Sequence, residues 1–152
     1  MRNLLYYKHS RNTKRRLKLV EINEQELFDI ANKTMQNAYT PYSHYQVGAA
    51  ILCDDDKVYS GVNVENASFG LTNCAERTAI FKAVSEGAKK VKAIVITNGT
   101  EEMSKPCGAC RQVMSEFMGP DDIVFLANNR NDYKKYTFKE ILPLAFSDED
   151  MN

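Results

Sequence analysis

The sequence predicts an α/β protein with three layers, α/β/α, in which helices cover both faces of a mixed sheet of about five strands. Two observations indicate this fold. Helical and strand patterns alternate along the chain, and the strand patterns at 91–97 and 122–128 are almost continuously apolar. Such runs are typical of strands that are covered on both faces. The order α-β-β-α-β-α-β-β-α therefore favours a sheet between helices.

Each element follows from its own local pattern. In chain order we expect a helix (23–39), a hairpin (47–52 and 58–64, joined by the turn 53–57), a helix (about 73–85), a strand (91–97), a helix (about 107–117), two strands (122–128 and 133–138) and a short helix (137–143). Asn23 with Glu26, and Thr137 with Glu140, have the spacing of capping boxes. Gly87 is expected to end the second helix.

Length and charge predict one domain behind a basic leader. The chain has 152 residues, 43% of them apolar, which suits a single core. Residues 1–20 contain seven basic residues and no acidic ones, so 13 basic and 20 acidic residues remain for 21–152, a net charge of −7. We expect the leader to be disordered or peripheral. An acidic body disfavours nucleic acid as a partner, because binding it requires neutralised phosphates.

Compartment is predicted from what the sequence lacks. No apolar run approaches the roughly 18 residues of a membrane span, and the charged start has no signal-peptide pattern. Four cysteines in 152 residues are too sparse for a secreted disulfide scaffold. We expect a soluble, cytoplasmic protein without a membrane partner.

Three cysteines lie in two short motifs at predicted helix starts. Cys74 opens the second helix and is followed by Glu76, while Cys107 and Cys110 share a face at the start of the third. Helix N-termini favour thiolates. Three thiolates are one ligand short of a closed tetrahedral Zn²⁺ site, and catalytic zinc typically has three protein ligands with water in the fourth place. Glu76 is placed to move that water's proton.

Two other interpretations of the cysteines remain open at this point. A structural zinc site normally needs a fourth protein ligand, and Cys53, in the predicted hairpin turn, and the two histidines, His9 and His44, lie outside the motifs. A redox Cys-x-x-Cys pair would explain neither Cys74 nor Glu76. Catalytic zinc is the favoured interpretation.

The combined pattern is that of the zinc deaminases, with cysteine in the first ligand position. Around it the chain resembles the small homotetrameric, three-cysteine cytidine deaminases over about residues 22–147. The resemblance lies in the fragments AYTPYSHYQVGAA, GVNVENASFGLTNCAERTAIFKAVSEG, PCGACRQV and ILPLAFS, in this order. It implies a cytidine-deaminase-like fold, one Zn²⁺ per subunit, deamination of free cytidine and deoxycytidine in pyrimidine salvage, and active sites at the interfaces of a homotetramer.

The resemblance also implies roles for individual residues. These are zinc ligation by Cys74, Cys107 and Cys110, proton transfer by Glu76, support of the thiolates by Arg77, binding of the ribose 3′-hydroxyl by Asn63 and Glu65, contact of the pyrimidine with the backbone around Ala75 and the ring of Tyr45, and insertion of Phe146 into a neighbouring site. The role of Arg77 has a physical reason. Three thiolates give Zn²⁺ a net charge of −1, and charge-assisted hydrogen bonds to sulfur restore part of its Lewis acidity.

The sequence departs from the family pattern at a few positions. Tyr45 replaces the usual phenylalanine, Phe69 a frequent tyrosine, and Leu144 a common glycine. Three alternative functions remain: deamination of a blasticidin S-type antibiotic, editing of a polynucleotide, and a non-enzymatic zinc-binding module. The sugar-binding NVEN and the AFS tail disfavour the first, the acidic body disfavours the second, and Glu76 disfavours the third.

Overall fold

The computed structural model describes residues 23–151, so the predicted leader at 1–20 lies outside the described residues. The helices are α1 (Glu24–Met35), α2 (Ala75–Ser85), α3 (Gly108–Phe117) and α4 (Phe138–Ile141), and the strands are β1 (Val47–Cys53), β2 (Val58–Val62), β3 (Val91–Asn98), β4 (Ile123–Ala127) and β5 (Tyr133–Thr137). Short 3₁₀ segments occupy Phe69–Leu71 and Asp148–Met151. The predicted order of elements is confirmed.

The five strands form one mixed sheet in the order β2-β1-β3-β4-β5. β3 and β4 are parallel, and the other neighbouring pairs are antiparallel. β3 is central and buried along almost its whole length, as its apolar run predicts. Because β1 is antiparallel to β3, its first residue, Val47, pairs with Asn98 at the edge where the parallel strands β3 and β4 end.

Helices cover both faces of this sheet. On one face α1 packs its apolar side, including Leu27 and Ala31, against residues of β1, β3 and β4. On the other face α2, α3 and α4 contribute Ile80, Met114 and Ile141 to a larger core. This is the predicted three-layer arrangement. Within the described residues, each helix is too short or too polar to span a lipid bilayer.

Two local expectations need correction. The helix expected over 23–39 ends at Met35, because Tyr39 instead pairs as an isolated bridge with Val64. Cys53, expected in the hairpin turn, is the fully buried last residue of β1. Its neighbour across the sheet is Val91, which keeps it in the ladder.

The last helix, expected over 137–143, ends at Ile141, while the predicted residues at three other helix ends are in place. The Asn23 side chain accepts a hydrogen bond from the Glu26 backbone at 3.3 Å. Thr137 and Glu140 form a complete capping box before α4. Gly87 follows α2 with φ +105°, a left-handed conformation that suits glycine after a helix.

Candidate metal centre and active site

The three cysteines are placed by the first turns of two neighbouring helices. Cys74 is the N-cap residue of α2, Cys107 is the N-cap residue of α3, and Cys110 lies in the first turn of α3. Both N-cap residues have extended backbone, and neither side chain makes a capping hydrogen bond. Because α2 and α3 share one face of the sheet, the two starts meet.

The sulfur positions fit one tetrahedral metal ion. The three Sγ atoms lie within 4.8 Å of one another, and the Cys74 and Cys107 Sγ atoms are 3.9 Å apart. Two sulfurs bound about 2.3 Å from a tetrahedral Zn²⁺ would be about 3.8 Å apart. Cys110 is buried, Cys74 half-buried and Cys107 exposed. The cluster therefore offers three ligands and remains open on one side.

Cys53 cannot complete this cluster. It pairs with Val91 at the start of β3, whereas Cys107 follows the loop that leaves the other end of β3. The four thiols are free, and among the described residues the group that could hold a metal consists of Cys74, Cys107 and Cys110. A closed four-cysteine site is thus excluded by the fold.

Electrostatics favour a thiolate at Cys74. Hydrogen bonds from the Cys110 thiol, and then from Arg77 and Cys107, lower the pKa of Cys74 to about 5. The pKa of Cys110 is raised, first by its hydrogen bond with Cys74 and then by burial. The hydrogen bond between Cys74 and Cys110 thus shifts their two pKa values in opposite directions. A bound divalent cation would remove this effect, because each cysteine ligand must lose its proton on binding. The donor set therefore suits Zn²⁺.

Arg77 lies beside this cluster. Its Nη2 donates to the Cys74 Sγ and to the Thr72 carbonyl oxygen, both at 3.4 Å. The neighbouring thiols, first Cys74, raise the guanidinium pKa. Its Nε is buried without a hydrogen-bond partner among the described residues. The structure thus places a cation against the thiols.

Glu76 is buried in the first turn of α2, two residues after Cys74. It is only 4% exposed, and burial raises its pKa to about 7, with a further increase from the nearby Cys74. A general acid–base group is most effective when its pKa lies near the working pH. A bound cation would favour the carboxylate and lower this value. Ala75, between Cys74 and Glu76, is fully buried at the first position of α2.

The loop before Cys107 is fastened to the two parallel strands. The buried Ser104 hydroxyl donates to the Ile96 carbonyl of β3 at 2.6 Å. The same hydroxyl accepts from the Ala127 amide of β4 at 3.2 Å. The metal centre therefore lies at the carboxyl ends of β3 and β4, the usual ligand edge of an open α/β sheet.

The two predicted sugar-binding residues follow β2 and brace neighbouring backbone. Asn63 accepts from the Val47 amide at 2.9 Å and donates to the Tyr45 carbonyl at 2.7 Å. Glu65 accepts from the Tyr42 and Ser43 amides and from the Ser43 hydroxyl. These bonds, first that of the hydroxyl, lower the pKa of Glu65. Each side chain retains unused hydrogen-bonding capacity for a ligand.

Two predicted aromatic residues have different positions. Tyr45 is 41% exposed, and partial burial raises its pKa against the opposing effect of the Asn98 amide, with Glu76 adding to the rise. Its hydroxyl is thus in the electrostatic range of the proposed acid–base group. Phe146 is 60% exposed, and its carbonyl accepts from Gln112 Nε2 of α3 at 3.0 Å.

Two residues that depart from the family pattern, Phe69 and Leu144, are both exposed. Phe69 is 75% exposed, and its ring lies 6.0 Å from that of Tyr42, edge to face. Leu144 has φ +56° and a fully exposed side chain. The backbone of this chain is therefore left-handed at Leu144, a conformation that glycine adopts most readily.

Three residues that sequence reasoning missed support the site. Ser43 binds Glu65, Asn98 lies beside Tyr45, and Arg111 binds the Pro106 carbonyl just before Cys107. For Asn98 the sequence held a signal, because an amide follows directly on the mainly apolar run of β3, and the structure buries that amide fully. Arg111 stands inside the PCGACRQ fragment without a local pattern that reveals its partners.

Comparison with known proteins gives a consistent result. The family model "Cytidine and deoxycytidylate deaminase zinc-binding region" matches residues 21–127. A cytidine deaminase of Halalkalibacterium halodurans is 51% identical over 131 residues, which cover 86% of this chain and 99% of that protein. One from Sporosarcina psychrophila is 45% identical over 84% of this chain and 94% of its own.

A solved structure has the same fold. The crystal structure of a cytidine deaminase from Burkholderia pseudomallei superimposes with a TM-score of 0.78 at 43% identity. The match covers 82% of this chain and all of that one.

Proposed function

Because the chain belongs to the cytidine and deoxycytidylate deaminase zinc-binding family, we propose that it converts free cytidine and deoxycytidine to uridine and deoxyuridine with release of ammonia. Pyrimidine salvage is the corresponding physiological role. The observation that carries this proposal is the buried Glu76 beside three convergent thiols. A structural zinc site requires only its four protein ligands, so it does not account for a buried carboxyl whose pKa is raised to about 7.

Cys74, Cys107 and Cys110 would hold the ion. Bound Zn²⁺ lowers the pKa of a water molecule and thereby supplies a nucleophile at neutral pH. Arg77 withdraws electron density from the sulfurs through its hydrogen bond to Cys74.

Glu76 moves the protons of the reaction. It takes one proton from the water that attacks C4 of the base and delivers it to N3. It then carries the second proton of that water to the exocyclic amine, which leaves as ammonia as the C4–N bond breaks. Rigid placement in the first turn of α2 lets one carboxyl serve these successive positions.

The remaining predicted residues bind the nucleoside. The Glu65 carboxylate, whose pKa is lowered, accepts a hydrogen bond from the ribose 3′-hydroxyl. The Asn63 side-chain amide makes a second hydrogen bond to the same hydroxyl. The Tyr45 ring packs on the pyrimidine, and the backbone at Ala75 contacts its polar edge. Both ribose and deoxyribose carry the 3′-hydroxyl, which is why both nucleosides are proposed as substrates.

A homotetramer with Phe146 inserted into a neighbouring site completes the proposal. Exposed apolar side chains on α2 and the C-terminal segment support it: Phe81, Val84, Leu144 and Phe146 are 40% to 103% exposed. Sedimentation equilibrium should give four times the chain mass, and an active monomer would exclude the insertion. A cytoplasmic location is proposed because four free thiols suit a reducing compartment.

The test is an absorbance assay on zinc-replete protein with four substrates: cytidine, deoxycytidine, blasticidin S and a short cytosine oligonucleotide. Each is run with and without a strong chelator. Chelator-sensitive turnover of the free nucleosides alone supports the proposal. Turnover of blasticidin S or of the oligonucleotide alone would replace it with the corresponding alternative.

A matched pair of variants tests Glu76. Glu76→Gln should keep the fold and stoichiometric zinc but lose about 10²–10⁴-fold in kcat, the usual contribution of general acid–base catalysis. Glu86→Gln, at the exposed end of the same helix, should behave as the wild type. Normal turnover by metal-loaded Glu76→Gln would remove Glu76 from the mechanism.

A further inference from the structure

Arg111 joins two segments that are distant in sequence. Its Nε donates to the Pro106 carbonyl at 2.9 Å, and its Nη1 donates to the Ile141 carbonyl at 2.9 Å. Pro106 immediately precedes Cys107, and Ile141 is the last residue of α4. One guanidinium thus spans the metal-binding loop and the beginning of the C-terminal segment.

The chemistry of these contacts favours a positioning role. Both acceptors are backbone carbonyls, so the fork of the guanidinium fixes two main-chain positions at once. Hydrogen bonds from a charged donor are roughly twice as strong as neutral ones. A lysine in the same place has a single point charge and cannot reproduce the fork.

A second contact extends the connection along α3. Gln112, the next residue, donates from Nε2 to the Phe146 carbonyl at 3.0 Å. Between the two anchored carbonyls lies Leu144, whose left-handed backbone has no side-chain packing to hold it. A strained residue of this kind persists only when its surroundings fix it. Arg111 and Gln112 hold this segment at Ile141 and Phe146, alongside Leu142, which packs against the core and donates its amide to the Phe138 carbonyl at 3.1 Å.

We propose that Arg111 is a positioning residue that couples the metal site to the C-terminal segment 142–147. The bond to Pro106 holds the backbone that aims Cys107, and the bond to Ile141 holds the start of the segment that carries Phe146. Loosening either end loosens the other. The proposal depends on the zinc site that underlies the proposed function, and its test uses no turnover, so a failed deamination assay leaves it standing.

The first experiment compares holoprotein variants by two readouts. These are the rate of Zn²⁺ transfer to a chromophoric chelator and the amide exchange of a peptide spanning 138–147. Arg111→Lys should transfer zinc about 10-fold faster, the lower end of the effect of removing such outer partners, and should exchange about 10-fold faster in 138–147. Gln112→Ala removes the Nε2 hydrogen bonds to the Phe146 carbonyl and to the Ser115 hydroxyl but keeps both Arg111 bonds, so it should raise exchange several-fold and change zinc transfer much less than Arg111→Lys does.

The matched control is Arg130→Lys. Arg130 is an exposed arginine whose ion pair is with Glu101, so both readouts should equal those of the wild type. If Arg111→Lys leaves zinc transfer unchanged, or raises zinc transfer without affecting 138–147, the coupling is refuted.

A second experiment has its main readout on the wild-type chain, so that readout does not depend on a variant that folds. Removing zinc from the wild-type chain should raise exchange in 138–147 about 10-fold while the α1 peptide 24–35 stays unchanged. In Arg111→Lys the same removal should add little, since the connection is already broken. Unchanged exchange in 138–147 on zinc removal would overturn the proposal.

Discussion

Gly61 of β2 is the position where one added methyl group should separate activity from stability. A Cβ built on Gly61 would lie 2.4 Å from the Ala79 nitrogen and 2.7 Å from the Ala75 carbonyl oxygen. These are backbone atoms of α2, so no side-chain rotation can relieve the contact. The helix must move by about 1 Å to restore normal van der Waals separations of about 3.5 Å.

The size of the effect follows from this displacement. Overpacking typically costs about 1–3 kcal/mol, and a backbone clash belongs at the upper end, so we expect Gly61→Ala to lower Tm by about 5–10 °C. The displaced turn carries Glu76 and adjoins Cys74. A shift of about 1 Å at a reacting group can cost about 100-fold in rate. We therefore expect kcat/KM on cytidine to fall by about that factor in protein that is still folded.

Gly48→Ala is the matched control. Its Cβ would lie 2.3 Å from the Ala31 carbonyl oxygen, so it should destabilise the protein to a similar degree. That clash displaces α1, which contributes no proposed catalytic or zinc-binding residue. Calorimetry and steady-state kinetics at 15 °C would separate the two variants. Equal losses of kcat/KM in folded Gly48→Ala and Gly61→Ala would refute the reasoning, as would a wild-type Tm in both.

Three further results are expected. Arg77→Ala should lose zinc or most of kcat, because its removal leaves the Cys74 thiolate without its cationic donor; near-normal zinc content and kcat would contradict this. In chelator-treated protein at pH 7.5, iodoacetamide should modify the exposed Cys107 and not Cys53, whose pKa burial raises to about 12; mass spectrometry showing equal modification would be inconsistent. Leu144→Gly should change the free energy of unfolding by less than about 1 kcal/mol, since relief of left-handed strain offsets glycine's entropy; a larger loss in urea titration would indicate packing of Leu144.

Local patterns were sufficient for the order of the elements and for the convergence of the three cysteines. Apolar period and capping residues located α2 and α3, and the helix starts brought Cys74 and Cys107 together because both helices cover one face of the sheet. Patterns of this kind are written within a few neighbouring residues, so a single sequence displays them.

Contacts between distant segments could not be predicted in this way. Tyr39 leaves the helical pattern because its amide binds the Asn63 carbonyl, 24 positions away, at 3.0 Å. The Arg111 bond to Ile141 joins residues 30 positions apart. Neither partner carries a local signature, and each contact exists only once the sheet has formed.

The two helix starts that build the metal centre also lack ordinary helix caps. At both Cys74 and Cys107 the side chain makes no capping hydrogen bond, whereas a serine or aspartate there typically contributes about 1 kcal/mol. Replacing Cys74 or Cys107 by serine or aspartate should stabilise the start of its helix and at the same time remove a zinc ligand. Selection of variants for thermal stability in the absence of zinc should therefore remove the active site first, because the residues that the chemistry needs are the ones that the metal-free fold would discard.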